Sequence, residues 1–407
     1  MTQRLASKAD SYLNRLCLEI SNRRVGSEGN RAATGFFAEV ASAYGFRVEA
    51  PEFRCIDWSE EGAHLTAGDE TFEVHASPYS LGIRAEAPLA VASTLGELEA
   101  VEAANRILLV RGEIAREQLM PVNFPFYNPE EHPRILGLLQ ARKPLAIVAA
   151  TSRNPELAGA VYPFPLIEDG DFDIPSVYMT DEEGARLAAH AGRTASLDSR
   201  AQRIPSAGCN VVARKGTDAP QRVVFCAHID AKRGTPGALD NAAGVVVLLL
   251  LAELLEGCEG RLGVELVALN GEDYYAAPGE ISYLEQNRGK MGDIALNVNL
   301  DAPGHLQGNT HYSLYGCPDA LASAIRGTLS GREGLVEGEE WYQGDHMVFV
   351  QNQVPALAIT SERFMEIETT VAHTALDTPD LVDRAKLADV ALALRDLLLA
   401  LEALPGN

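Results

Sequence analysis

No stretch of the chain is long and apolar enough to cross a bilayer; the longest run, at 245–251, falls well short of the roughly 18 residues a spanning helix needs and reads as a buried helix. The opening MTQRLASKAD has no basic segment followed by an apolar one, so a secretory leader is not expected. Cysteine is scarce: Cys17, Cys55, Cys209, Cys226, Cys258 and Cys317 are scattered without a CxxC pair and read as reduced thiols of a cytoplasmic protein, with Cys226 as core packing. Positive charge is in deficit, with 34 Lys+Arg against 57 Asp+Glu for a net charge of -23. Like charge repels before specific contacts form, which argues against nucleic acid and anionic membranes as partners and leaves metals, small cations and free amines. There is no G-x-S-x-G elbow, no P-loop and no HExxH, and there are no internal repeats or low-complexity tracts.

What is there is 407 residues, 46% apolar and 22% charged, enough for a sizeable core in two or three domain-sized units. Residues 1–55 carry helical spacing at Leu13, Leu16 and Ile20, then RRVGSEGN, then a second helix through Phe36, Phe37 and Val40 that Gly45 can end, and a strand at FRVEA. Residues 56–204 change character: RILLV and LAIVA alternate with helices and a turn-rich YPFPLIEDGDFD leads into IPSVYM, as in a smaller inserted α/β domain. Within it Thr180 and Glu183 form a capping box for a helix through Ala188.

From 205 to 407 the strand signals are apolar runs that end in acid or histidine: VVFCAHID, VELVALNGED, IALNVNLD and PALAITSE. Helices are expected between them, notably at 242–255 and 380–404. Strands that are apolar throughout and separated by helices predict an α/β fold, a three-layer αβα sandwich with a mainly parallel central sheet. Ligands of such sheets bind beyond the carboxyl ends of the strands.

His228, Asp240, Asp273, Asp301 and His373, with Glu272, form one constellation, all but His373 at an inferred strand end or in the connection after it. Two imidazoles and three carboxylates suit two divalent ions, zinc first and cobalt or manganese as substitutes, and a carboxylate can bridge ions roughly 3.5 to 4 Å apart. Glu272, next to a ligand but spare, is placed to take a proton from water and return it to a leaving amine. Asp230, two residues beyond His228, looks placed to orient that imidazole. Singly each signal is weak; their joint placement carries the argument.

The segments HID, GALDNAAGV, NGED, NLD and HTALDTPD, in that order, resemble the co-catalytic di-zinc aminopeptidase family, and RVGSEGN is similar to its N-terminal signature. The likeness covers residues 1–55 and 205–407, a discontinuous zinc-exopeptidase domain. RILLVRG, LAIVAA and DIPSVYMT in 56–204 look like the protease-associated domain that many members carry as an insertion. The resemblance implies that Asp240 bridges two metals, that His228 and Asp301 hold one, that Asp273 and His373 hold the other, and that Glu272 is the general base. It implies a cis peptide bond after Asp240, and the family often has glutamate where this chain has Asp273. Tyr342, ahead of GDH, lies in a segment that resembles the one bearing the family's oxyanion-stabilising tyrosine.

The expected activity is metal-dependent hydrolysis of N-terminal residues from short peptides with a free N-terminus. A related amidohydrolase, carboxypeptidase or glutaminyl cyclase, and a catalytically silent binding protein like the transferrin receptor, are the alternatives within the resemblance. Asp345, His346, His305 and His311 are read as loop-structuring, and His64, His75, His132 and His190 as surface or packing residues of the insertion. That insertion could cover the cleft or supply a surface for homo-oligomer formation.

Overall fold

The computed structural model describes residues 1–20, 22–126, 128–216 and 218–404. It divides into two compact units, Met1–Cys55 with Ala207–Asn407 and Ile56–Ser206, and both boundaries fall inside 16-residue strands, Glu52–Ala67 and Thr194–Cys209.

The discontinuous unit is built on eight strands: β1 (Arg47–Glu49), β2 (Val211–Lys215), β3 (Arg222–His228), β4 (Gly263–Leu269), β5 (Ile294–Leu300), β6 (Thr310–Tyr315), β7 (Leu335–Glu337) and β8 (Ala356–Ser361). Their order across the sheet is β1-β2-β4-β3-β5-β8-β6-β7. The four central strands β4, β3, β5 and β8 run parallel, and these are the four apolar runs of the sequence. The flanks are antiparallel, β2 against β4 and β6 against β8. THYSLY in β6 mixes polar and aromatic residues, so it lacks the continuous apolar signature that marks a strand covered on both faces.

One face is covered by Thr2–Asn14, Glu28–Ala43, Ala243–Leu254, Asp319–Leu329 and Arg384–Glu402, which share one apolar core with the sheet. Ala243–Leu254 is buried on nearly every side, which explains why its sequence is apolar all round rather than amphipathic. The other face carries Pro278–Gln286 and His346–Val350, joined through the rings of Tyr283 and Phe349 5.5 Å apart. Two helix boundaries differ from the periodicity. The last helix begins at Arg384 rather than 380, because Pro379 opens a short 3-10 turn and the Asp383 carboxylate then caps the N–H groups of Ala385 and Lys386. Ile20 lies past the end of the first helical segment in extended conformation, although its side chain is buried.

The unit Ile56–Ser206 has its own cores around a parallel run of Ile83–Ala92, Ile107–Val110, Ala146–Thr151 and Ser176–Thr180. Thr180 Oγ1 accepts from the Glu183 N–H at 3.2 Å and starts the helix Asp181–Ala188, as the capping box predicts. Two of its histidines are packing groups, with His132 accepting from the Met120 N–H and His190 3.1 Å from Glu70, while His64 and His75 are exposed.

Candidate active site and metal centre

The chain lays down β3, then β4 on one side of it and β5 on the other, so the strand order reverses between β3 and β5. Such a reversal leaves a crevice at the strands' carboxyl ends. His228 is the last residue of β3 and Asp301 follows β5 directly. Asp273 lies in the turn after β4, Asp240 in the turn entering Ala243–Leu254, and His373 in the loop after β8 and the helix Phe364–Thr370.

Folding brings these five into two groups whose ligand atoms lie within 4.8 Å of one another: His228, Asp240 and Asp301, and Asp240, Asp273 and His373. Asp240 belongs to both. Its Oδ1 is 3.2 Å from His228 Nε2 and its Oδ2 is 3.2 Å from His373 Nε2. Asp301 Oδ1 is 3.6 Å from His228 Nε2. Asp273, the short side chain where a glutamate would be usual, still reaches, with Oδ1 2.8 Å from His373 Nε2. The other oxygen, Asp273 Oδ2, is buried with no hydrogen-bond partner among the described residues. A buried carboxylate oxygen without a donor is costly unless a cation meets it, so this donor set fits divalent metal.

The electrostatics agree with that fit. Burial opposes a charge on His228, but Asp240 and Asp301 outweigh it and hold the imidazole well above its ordinary pKa. His373 is likewise pulled down by burial and raised further by Asp273 and Asp240. Burial lifts the Asp301 carboxyl, and burial reinforced by Asp273 and Asp301 lifts Glu272 well above the usual carboxylate range. This is a pocket with more negative charge than its own side chains can balance.

The support beneath the ligands reaches back to the N-terminal segment. The buried Arg23 guanidinium donates to the carbonyls of Leu16, Ile229, Pro236 and Gly237, at 2.8 to 3.1 Å, and so ties down the loop that leads to Asp240. Asp377 accepts from the N–H groups of Leu239 and Asp240 at 2.8 and 3.0 Å. The peptide bond between Asp240 and Asn241 is cis. Asn30, in the N-terminal signature, and Asn270, ahead of Glu272, exchange side-chain amide hydrogen bonds of 2.8 and 3.0 Å. Arg23 and Asp377 lie in the quoted segments RRVGSEGN and HTALDTPD, but an arginine in a loop and an acid before Thr-Pro are ordinary and their sequence gives no sign of this role. Replacing Arg23 by Met should cost on the order of 3 kcal/mol or more, because it orphans four carbonyls, and urea unfolding measures this.

Two expected roles meet a different geometry. Asp230 Oδ1 is 3.8 Å from His228 Nδ1, beyond hydrogen-bond reach, and Nδ1 has no hydrogen-bond partner among the described residues. The Asp230 carboxylate instead accepts from the N–H groups of Gly271 and Asp273 at 2.7 and 3.1 Å, gripping the turn on both sides of Glu272. Tyr342 is 64% exposed and its hydroxyl donates to Glu340 at 2.8 Å. An oxyanion donor acts by being pre-aimed in a dry site, so the phenol would have to leave Glu340 and turn inward. The loop after it does approach the centre: Gly344, at φ +96°, leaves no room for a side chain between the Trp341 ring and the Asp301 carboxylate. Asp345 and His346 are fully buried, and His346, 2.9 Å from the Trp341 carbonyl oxygen, is held down to about 4 by burial. One residue escaped the sequence reading. Glu368, in Phe364–Thr370, has its carboxyl raised to about 7, by burial first and then by Asp240, Asp301 and Asp273, against the opposing pull of His373.

A family model described as peptidase family M28 matches residues 210–398, the stretch that contains all five ligand candidates and Glu272. The probable lipoprotein aminopeptidase LpqL of Mycobacterium tuberculosis is 25% identical over 292 residues, 69% of this chain and 54% of that protein, so the chain spans about half the length of this curated relative. Among solved structures, the chain is similar to the aminopeptidase from Aneurinibacillus sp. strain AM-1, with a TM-score of 0.74, 20% identity, and coverage of 100% of this chain and 96% of that one. It is also similar to BSAP, a zinc aminopeptidase from Bacillus subtilis, with a TM-score of 0.74, 18% identity, and coverage of 97% and 94%.

Proposed function

We propose that the protein is a metal-dependent exopeptidase, an aminopeptidase that removes N-terminal residues from short peptides. The observation that carries this reading is the shared Asp240, whose two oxygens each stand 3.2 Å from the histidine of a different ligand group. Two divalent ions, zinc by preference, would be held by His228 with Asp301 and by Asp273 with His373, Asp240 between them. Such ions lower the pKa of water to about 7 and polarise a carbonyl. Glu272 takes the proton of the attacking water and returns it to the leaving amine. Its carboxyl is raised by burial and neighbouring acids, and cations held by the two ligand groups would draw it back toward the working range of a base. Asp230 holds the turn that presents Glu272, through the flanking N–H groups.

The protease-associated character of the inserted unit and its role in self-association or access to the cleft belong to the same proposal. The cytoplasmic location expected from the scattered cysteines is a proposal too, checked by cell fractionation. Among the described residues no helix is long and apolar enough to cross a membrane.

The test compares short peptides with free and acetylated N-termini, using zinc-loaded protein with a chelated control. Chelator-sensitive cleavage of the free set alone is the expected result. Cleavage of blocked peptides would replace aminopeptidase by carboxypeptidase or amidohydrolase, and two bound metals without cleavage would favour a cyclase or a silent binder.

A further inference from the structure

The helix Phe364–Thr370 presents Phe364, Ile367, Glu368 and Val371 along one stripe at i, i+3, i+4 and i+7, while Met365, Glu366 and Thr370 are exposed. Three positions of that stripe are apolar and face inward, with Phe364 stacked 4.9 Å from Trp341 and Ile367 buried. An acid in the fourth is out of keeping with simple packing. The other acids of this segment have partners: Glu362 accepts from the Asn309 backbone and side chain, and Glu366 pairs with Arg363. Glu368 has neither a hydrogen bond nor an ion pair among the described residues. Beyond burial, the charges that act on it are those of His373, Asp240, Asp301 and Asp273, members of both ligand groups. It belongs to neither group of ligand atoms. Phe364 packs on the Trp341 ring, and Trp341 and the Asp301 carboxylate close on Gly344 from either side, so the inward stripe that Glu368 shares lies on the side of the metal centre, five residues before His373.

We propose that Glu368 receives an ammonium group of the substrate and so determines which peptides the site accepts. This rests on the exopeptidase reading above. A carboxylate that is partly desolvated and surrounded by other carboxylates gains most from a compact cation, and an ammonium gains a charge-assisted hydrogen bond in return. Two sources share this chemistry: the α-ammonium of the first residue, and the side-chain ammonium of a first-position lysine.

The experiment measures KM and kcat for leucine and lysine anilides, each with a free and an acetylated α-amine, in wild type and in Glu368→Gln. Metal content is determined alongside. Wild-type protein that cleaves acetylated and free substrates alike would fail the exopeptidase reading itself, separately from Glu368. With that reading intact, E368Q should keep its metal and raise KM by about tenfold or more with kcat within about threefold. A rise for both free-amine substrates identifies the α-ammonium, and a rise for lysine alone identifies the side chain. KM within about threefold of wild type for every substrate overturns the proposal, as does loss of metal, which would make Glu368 a ligand. Should E368Q fail to fold, Glu368→Asp serves in its place: the shortened carboxylate should weaken KM by several-fold, and an unchanged KM overturns the proposal equally.

Discussion

Glu272→Gln should retain its full metal content while turnover falls by about three orders of magnitude, the middle of the range for loss of a general base. The substitution keeps the shape of the side chain and removes only its ability to accept a proton. The turn that carries residue 272 is held by groups the change does not touch. Asp230 binds the Gly271 and Asp273 N–H groups on either side, and Asn30 pairs with Asn270 just before it. Residue 272 is outside both ligand groups, so the metals should stay. Elemental analysis and kcat on the same preparation separate the two effects. Turnover within about tenfold of wild type would sink the base assignment, and loss of metal would recast Glu272 as a ligand.

Asp240→Asn should abolish metal binding at both positions together, a larger defect than any other single ligand can produce. Each Asp240 oxygen serves a separate group, one facing His228 and the other His373, and an amide offers one weak acceptor oxygen and no charge. The cleanest readout is thermal: ligand that binds only the folded state raises stability by about 2.7 kcal/mol at a hundredfold excess over its dissociation constant. Wild-type protein should melt higher with zinc than with chelator, and that increment should vanish in D240N. Comparing each variant with and without metal cancels the separate loss of the Asp240 contacts to the two histidines. A residual increment of about half would mean that one group binds without the bridge. By contrast His373→Ala should remove one group and leave His228, Asp240 and Asp301 able to bind.

Much of this site is legible in the chain because every candidate ligand but His373 sits beside a strong local signal. His228 and Asp301 end apolar strands, Glu272 and Asp273 follow another, and Asp240 opens an apolar helix. A parallel sheet converts that local regularity into a common edge, so five separated segments need only the strand order to meet. Roles that depend on distances of an ångström are different in kind. Asp230 lies two residues from His228 and reads as its orienting partner, yet at 3.8 Å its hydrogen bonds go to the Glu272 turn. Tyr342 sits in a loop whose sequence suggests an inward phenol and whose backbone leaves it beside Glu340 in solvent.

The sequence by itself determined the class of fold, the strand runs that carry the candidate ligands and the types of those side chains, because hydrophobic periodicity and side-chain chemistry are local properties. Tertiary structure alone decided that each oxygen of Asp240 faces a different histidine, that Arg23 and Asp377 secure its loop, and that Glu368 sits on the inward stripe of its helix without a partner among the described residues. Those are contacts between residues up to hundreds of positions apart, made only when the layers close, and no local pattern encodes them.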